Sequence, residues 1–126
     1  MRGIDVTLGE RSFVARREQG GWTIDGKAAD AHTAEALEDL VQMLTTLRAV
    51  DVFRHADPTQ FGLDRPSATI TLLTTRGTRR LVVGGHNSSS TAVYARRDRD
   101  PRLLQIGVLV LSSLDRVFYR RGEPPA

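Results

Sequence analysis

Alternating hydrophobic and polar residues in the first third of the chain predict a small antiparallel meander. Apolar side chains occupy every second position over residues 4–8 and again at Phe13 and Ala15, with a glycine-containing turn between the two runs. A third, shorter run begins at Trp22. Because a period of two places alternate side chains on the same face of a strand, we expect three half-buried strands here.

The period changes after Asp30 to that of an amphipathic helix. Asp30 or Thr33 can cap this helix by accepting a hydrogen bond from one of the unpaired amides in its first turn. A short extended piece should follow over residues 50–54. The apolar positions recur at the spacing of one helix face and are Leu37, Leu40, Val41, Leu44 and Leu47.

The second half of the chain shows the same succession of patterns. Residues 68–73, 81–83 and 92–95 predict strands, and Asp100-Pro101 is typical of a helix start, with aspartate as cap and proline in the first turn. In the predicted helix the residues expected to face inward are Leu103, Ile106, Val110 and Leu114, joined by Leu104, Val108 and Leu111.

These patterns predict an α+β fold of antiparallel sheets and two amphipathic helices in one domain over residues 1–121, with a frayed tail at 122–126. Leu44-Thr45-Thr46-Leu47 resembles Leu111-Ser112-Ser113-Leu114, and an apolar pair with an arginine follows each. We therefore hypothesise a duplicated β-β-β-α unit, with half-repeats at 4–54 and 70–120. Chance similarity between two amphipathic helices is the alternative.

Composition excludes several classes of protein. A length of 126 residues suits one domain, and the absence of cysteine excludes thiol catalysis, thiolate zinc sites and disulfides. No apolar run is long enough to span a membrane. The net charge is only +3. Lys27 is the single lysine among the eighteen basic residues, and the others are arginines. Arginines and acids alternate over Arg96–Arg102, which favours a solvated turn over a phosphate-binding groove, so we expect no nucleic-acid partner.

The loop Gly84–Ser90 is the best candidate for catalysis, because it combines His86 with the hydroxyls of Ser88, Ser89 and Ser90. A nucleophilic site needs a base within hydrogen-bond reach of the serine, and adjacency in a loop does not supply that geometry. We favour a polar connection and expect no catalytic residue, metal or cofactor. A small hydrolase using this loop is one alternative, and weak nucleic-acid binding through Arg96–Arg102 is another.

The densest local signal is Phe61-Gly62-Leu63-Asp64-Arg65-Pro66, immediately before a strand. Gly62 can adopt the positive φ of a tight turn, and Pro66 holds the residue before it in an extended conformation. With a strand at Trp22, a strand ending at Gly84 and a strand around Tyr94, this turn resembles the bacterial domain of unknown function 4340 family. We treat Trp22, Phe61, Gly62, Leu63, Pro66, Gly84 and Tyr94 as its structural signature.

The resemblance implies a setting. Such domains are often found beside ABC-type export systems of the gliding-motility kind, outside the cytoplasm and behind a membrane anchor. We expect membrane attachment only through an anchor that this sequence does not contain. The resulting hypothesis is a non-catalytic protein-interaction module, an extracytoplasmic accessory of a transport assembly, with protein partners such as membrane transporter components.

Overall fold

The computed structural model describes residues 2–18, 20–47, 49, 51–53, 61–87, 89–98, 100 and 102–120. These residues form an α+β fold, as the sequence predicts. The elements, in chain order, are β1 Gly3–Leu8, β2 Arg11–Glu18, β3 Gly21–Ile24, β4 Lys27–Ala28, α1 Ala31–Thr46, β5 Asp51–Phe53, β6 Ala68–Thr74, β7 Gly77–His86, β8 Ala92–Arg97, β9 Leu103–Gly107 and α2 Leu109–Arg120.

The nine strands of the described residues form one sheet in the order β4-β3-β2-β1-β6-β7-β8-β9-β5. Strands β1 to β4 and β6 to β9 are two antiparallel meanders. Their first strands, β1 and β6, pair antiparallel with Val6 opposite Ile70. The predicted antiparallel pairing is therefore confirmed, and the β1–β6 ladder makes the two halves one continuous sheet.

Both helices pack on the same face of this sheet. Along β1 and β2 the fully buried side chains alternate with exposed ones, as expected when one face is covered. Phe13 of β2 meets Phe118 of α2 edge to face, with ring centroids 5.1 Å apart. Trp22 of β3 donates a hydrogen bond to Glu38 of α1. Because β3 pairs with β2 in the register Ala15 to Ile24, Trp22 lies on the same face as Phe13.

Helix α1 begins as the sequence predicts. Asp30 is the N-cap, and its carboxylate accepts a hydrogen bond from the backbone amide of Thr33 at 2.7 Å. This contact lowers the pKa of Asp30 and keeps it charged beside the unpaired amides of the first turn. Leu37 and Leu40 are fully buried, while Leu44 and Leu47 at the end of the stripe are only partly covered.

The prediction of a helix starting at Asp100 is wrong in its first part. Residues Leu103–Gly107 form β9, which pairs with β8 on one side and with β5 on the other, and α2 begins only at Leu109. A short apolar run does not distinguish helix from strand by its period alone. Here two neighbouring strands supply hydrogen-bond partners, and the Asp100 carboxylate accepts from the Arg102 amide instead of capping a helix.

The residue pairing offered for the half-repeats also differs from the structure. Leu44 lies at the C-terminal end of α1, whereas Leu111 lies in the first turn of α2, and Val52 is in a strand but Phe118 in a helix. The order of four strands and a helix nevertheless occurs twice. Buried positions with matching spacing are Thr33, Leu37, Leu40 and Val41 in α1, and Val110, Leu114, Val117 and Phe118 in α2.

Candidate functional site

The turn before β6 packs on the sheet face opposite the helices. The Phe61 ring contacts the Tyr94 ring of β8 with centroids 4.7 Å apart, and the Phe61 carbonyl accepts a hydrogen bond from the Gly85 amide at 2.9 Å. Gly62 has a φ of +76°, the left-handed conformation predicted for it. The structure thus brings the turn residues against β7 and β8, where the register shifts after Val83.

Gly84 allows this close approach. A Cβ atom at position 84 would clash with the Phe61 carbonyl oxygen and lie 3.1 Å from the Leu63 side chain. Five of the seven signature residues therefore meet in one cluster, which we call the turn cluster: Phe61, Gly62, Leu63, Gly84 and Tyr94. It is a packing contact between a turn and a bulged strand.

The other two signature residues lie elsewhere. Pro66 is exposed and leads into β6. Trp22 is buried on the helix side, where its indole Nε1 donates to Glu38 Oε1 at 2.7 Å and the Arg17 guanidinium lies 5.0 Å from its ring centre. The Glu38 carboxylate also pairs with Arg17, and the Trp22 hydrogen bond, followed by this arginine, lowers the pKa of Glu38. These contacts join α1 to β2 and β3.

Ser67 is a residue that the sequence reasoning missed. Its backbone amide donates to the Val83 carbonyl at 2.8 Å, and its hydroxyl donates to the Gly84 carbonyl at 2.9 Å. These bonds hold the end of the turn on β7 beside the register shift. The signal was slight, a serine directly after Pro66, because its partners lie far away in the sequence.

An open groove lies on the helix side, between the C-terminal end of α1 and strands β6 to β9. It encloses about 860 Å³. Leu72, Leu81 and Leu104 are part of its floor, and the partly covered Leu44 of α1 and Leu47, its C-cap, form one wall. A volume of this size is within the usual range for ligand-binding clefts, roughly 300–1,000 Å³.

Four arginines and two aspartates also line the groove. The negative charge of Asp100 is already compensated by arginines, because its carboxylate binds Arg102 at 2.6 Å and lies 4.0 Å from Arg97. Hydrogen bonds from the Arg102 side chain and then its amide hold the pKa of Asp100 well below the usual range. The Asp98 carboxylate accepts from the Arg80 amide. Among the described residues, no carboxylate forms an ion pair with Arg79, so the groove is cationic at its rim.

The polar loop after β7 is held by its own hydrogen bonds. The Asn87 side-chain oxygen accepts from the amides of Thr91 and Ala92 at 3.0 and 3.2 Å, and the Ser89 hydroxyl bonds that of Thr91. Among described residues, no hydrogen bond joins His86 to Ser89 or Ser90, and Ser88 lies outside them. The catalytic arrangement considered for this loop is therefore not assembled by the contacts of its described residues.

The arginine-rich segment 96–102 is likewise engaged in local contacts. Arg96 donates through Nε to the Asp100 carbonyl at 2.9 Å, and Arg102 grips the Asp100 carboxylate with Nε and a terminal nitrogen. Arg99 and Pro101 lie outside the described residues. Arg96 and Arg97 are the last residues of β8, and the guanidinium groups that contact Asp100 lie beside the turn before β9.

Metal-binding clusters and membrane-spanning helices are both absent from the part of the chain that the structure describes. Its residues include no group of three or more histidine, aspartate or glutamate side chains placed to hold a metal ion. Neither of its helices combines the length and apolar character that a membrane crossing needs.

A family model described as a domain of unknown function (DUF4340) matches residues 22–118. The chain belongs to this family. The DUF4340 match begins at Trp22 in β3 and includes the whole turn cluster, while β1 and β2, which lie inside the sheet, precede it. No curated protein and no solved structure matches the chain.

Proposed function

We propose that this DUF4340 chain is a non-catalytic protein-interaction module. The observation that carries the proposal is the open groove beyond the end of α1, where the described residues cover Leu72 and Leu81 of the sheet only partly. Exposed apolar surface beside charged groups is characteristic of sites where proteins meet. In the loop after β7, which combines a histidine with serines, the described polar side chains instead form hydrogen bonds within the loop itself.

For the setting, we propose an extracytoplasmic accessory role in an ABC-type transport or gliding-motility-like assembly. This part of the proposal is supported by what the family resemblance implies. The partners would then be protein components of the transporter.

Site-specific photo-crosslinking in the native host tests both parts. A benzoylphenylalanine replaces Ala49 in the groove, and matched positions are Thr7 on the opposite sheet face and Lys27 on the edge strand β4. All three positions are exposed, so differences in adducts report the location of the partner. Adducts are identified by mass spectrometry, and fractionation locates the protein.

We expect a discrete adduct from position 49 with a permease or other transporter subunit, in the extracytoplasmic fraction. Failure of all three positions to give a specific protein adduct would contradict an interaction module. Specific adducts only with proteins unrelated to transport would retain the module and reject the setting.

A further inference from the structure

We propose that the groove binds an acidic, amphipathic segment of a partner protein, with apolar side chains on the leucine floor and carboxylates at Arg79 and Arg97. The inference rests on the proposed function and specifies the partner's chemistry. Three observations carry it: the position of these arginines in the fold, the contacts that the neighbouring aspartates already make, and the apolar side chains of the floor.

The two hairpins at the centre of the sheet show why Arg79 is unusual. Both have a two-residue turn and the same register, so position 79 of β7 corresponds to position 13 of β2. In β2 this position holds Phe13, which is buried under Phe118 of α2. In β7 the same position holds an exposed arginine that faces the groove. The second half of the sheet thus has a charge where the first half has a covered aromatic ring.

Arg97 lies on the same face as Arg79. It is directly opposite Leu81 in the β7–β8 ladder, and Leu81 is opposite Ile70 of the core face. The nearest carboxylate to Arg97 among the described residues is Asp100, at 4.0 Å, and Asp100 is already bound closely by Arg102. On the core face of β7 and β8, Arg79 and Arg97 have no carboxylate of the described residues closer than 4.0 Å, so each can pair with a further carboxylate.

The floor decides between classes of anionic partner. Leucine and isoleucine side chains form it, and among its described lining residues there is no aromatic ring on which a nucleic-acid base could stack. Apolar side chains of a peptide would instead be removed from water there, while its carboxylates pair with guanidinium groups at the rim. The groove is open to solvent, which suits a segment of a larger protein.

The test uses the purified full chain and labelled twelve-residue probe peptides. One peptide is built from leucine and glutamate, and the matched peptide has lysine in place of glutamate. Fluorescence anisotropy measures the affinity of each. We expect the glutamate peptide to bind, the lysine peptide not to bind, and the affinity to fall as salt is added, because screening weakens exposed charge pairs.

Charge reversal locates the binding. Arg79→Glu should weaken binding of the glutamate peptide by about tenfold or more, in the range seen for close interfacial charge pairs. Arg76→Glu is the matched control, since Arg76 lies at the tip of the same hairpin, outside the groove, and the change in net charge is identical. We expect Arg76→Glu to change the affinity by less than about twofold, because charges distant from the contact act mainly on the association rate.

Amide chemical-shift mapping provides a second readout that needs no variant, with shifts expected along β7 and β8 and at the end of α1. Equal binding of the two peptides, equal effects of the two charge reversals, or shifts confined to another surface would overturn the inference. Arginine-dependent binding of dodecanoate without binding of either peptide would also overturn it, in favour of a small amphiphile. Partner crosslinks at position 7 or 27 would leave the interaction proposal standing even then.

Discussion

At the scale of single residues, Gly84 shows how a turn and a strand constrain each other. The Phe61 carbonyl occupies the space that a side chain at position 84 would need, and Gly62 approaches the same strand, its hypothetical Cβ lying 2.9 Å from the Gly85 amide nitrogen. The turn cluster thus depends on the absence of side chains at both ends of the contact.

We predict that Gly84→Ala lowers the free energy of unfolding by about 1–3 kcal/mol, the usual cost of overpacking a closely packed contact. The added methyl group must displace backbone atoms of the turn. Urea unfolding followed by circular dichroism measures the change.

Gly85→Ala is the matched control for that prediction. A Cβ at position 85 would lie 3.7 Å from the Phe61 carbonyl oxygen, an ordinary contact distance. We expect little loss, because replacing glycine also reduces the conformational entropy of the unfolded chain. Equal destabilisation by both variants would show that the Phe61 contact is not the cause.

The sequence was informative about one side of this contact only. The Gly62 turn and the extended conformation before Pro66 follow from local backbone chemistry. The need for glycine at position 84 does not, because its partner lies more than twenty residues earlier and the strand pattern around Leu81–Val83 continues through it. Ser67 was missed for the same reason.

At the scale of elements, helix α1 is joined to the sheet through Glu38. Its carboxylate forms an ion pair and also accepts a hydrogen bond from an indole. Glu38 contacts Arg17 of β2 and Trp22 of β3. Its pKa in the folded protein is below 4.5, the ordinary value for a glutamate, mainly because the Trp22 hydrogen bond favours the charged form. The charge of Glu38 therefore stabilises the fold above that value, and this contribution is lost as pH falls through the folded pKa.

We predict that Glu38→Gln lowers the free energy of unfolding at pH 7 by less than about 1 kcal/mol, because the pair is half-exposed and screened. The difference from the unchanged protein should shrink as pH falls below 4.5, since Glu38 is then protonated first in the unfolded chain and, at lower pH, also in the folded protein. Urea unfolding at pH 7 and pH 3 measures this.

Glu35→Gln is the control on the same helix, because the one ion pair of Glu35 with a described residue is a 3.8 Å contact with Arg116. We expect a smaller effect at pH 7. A Glu38→Gln difference that is the same at both pH values would exclude the charge as its source.

Elements also show the limit of pattern reading. The α1 stripe is long enough for its period to be unambiguous, and its N-cap is a local feature, so both were predictable. The run at Leu103–Ile106 is short, and it became a strand because β8 and β5 lie beside it. The local sequence pattern does not contain this information, because the strands that pair with β9 on its two sides are brought there by the tertiary structure.

At the scale of the whole molecule, one ladder joins the two meanders. The β1–β6 register runs from Gly3 opposite Leu73 to Leu8 opposite Ala68. Both helices add to one core cluster that contains residues of both halves, including Ile4, Ile70 and Leu114. Neither meander can bury its inner strand without the other.

We therefore predict a single cooperative unfolding transition. Trp22 is the only tryptophan and lies in the first meander, so its fluorescence reports that half, whereas far-ultraviolet circular dichroism reports both. The two urea curves should have the same midpoint, as two-state unfolding requires. A tryptophan transition at lower urea than the dichroism transition would show that the first meander unfolds separately.

The fold class was predictable because alternation and helical period are properties of each segment. The groove was not. Arg79 follows the hairpin tip and Arg97 ends another strand, and each alone is indistinguishable from a solvated charge. Only the β7–β8 ladder and the length of α1 place them on one face beside partly covered leucines.

The pairing of β1 with β6 has a consequence for synthesis on the ribosome. The first meander is complete in the nascent chain well before β6 has been made, so the outer edge of β1 presents unpaired amides and carbonyls during that interval. Such an edge is a template for another strand, and domains generally fold as units when the last necessary segment emerges. The residues around Ala68–Thr74 therefore set the time at which a nascent copy ceases to be able to pair with its neighbour.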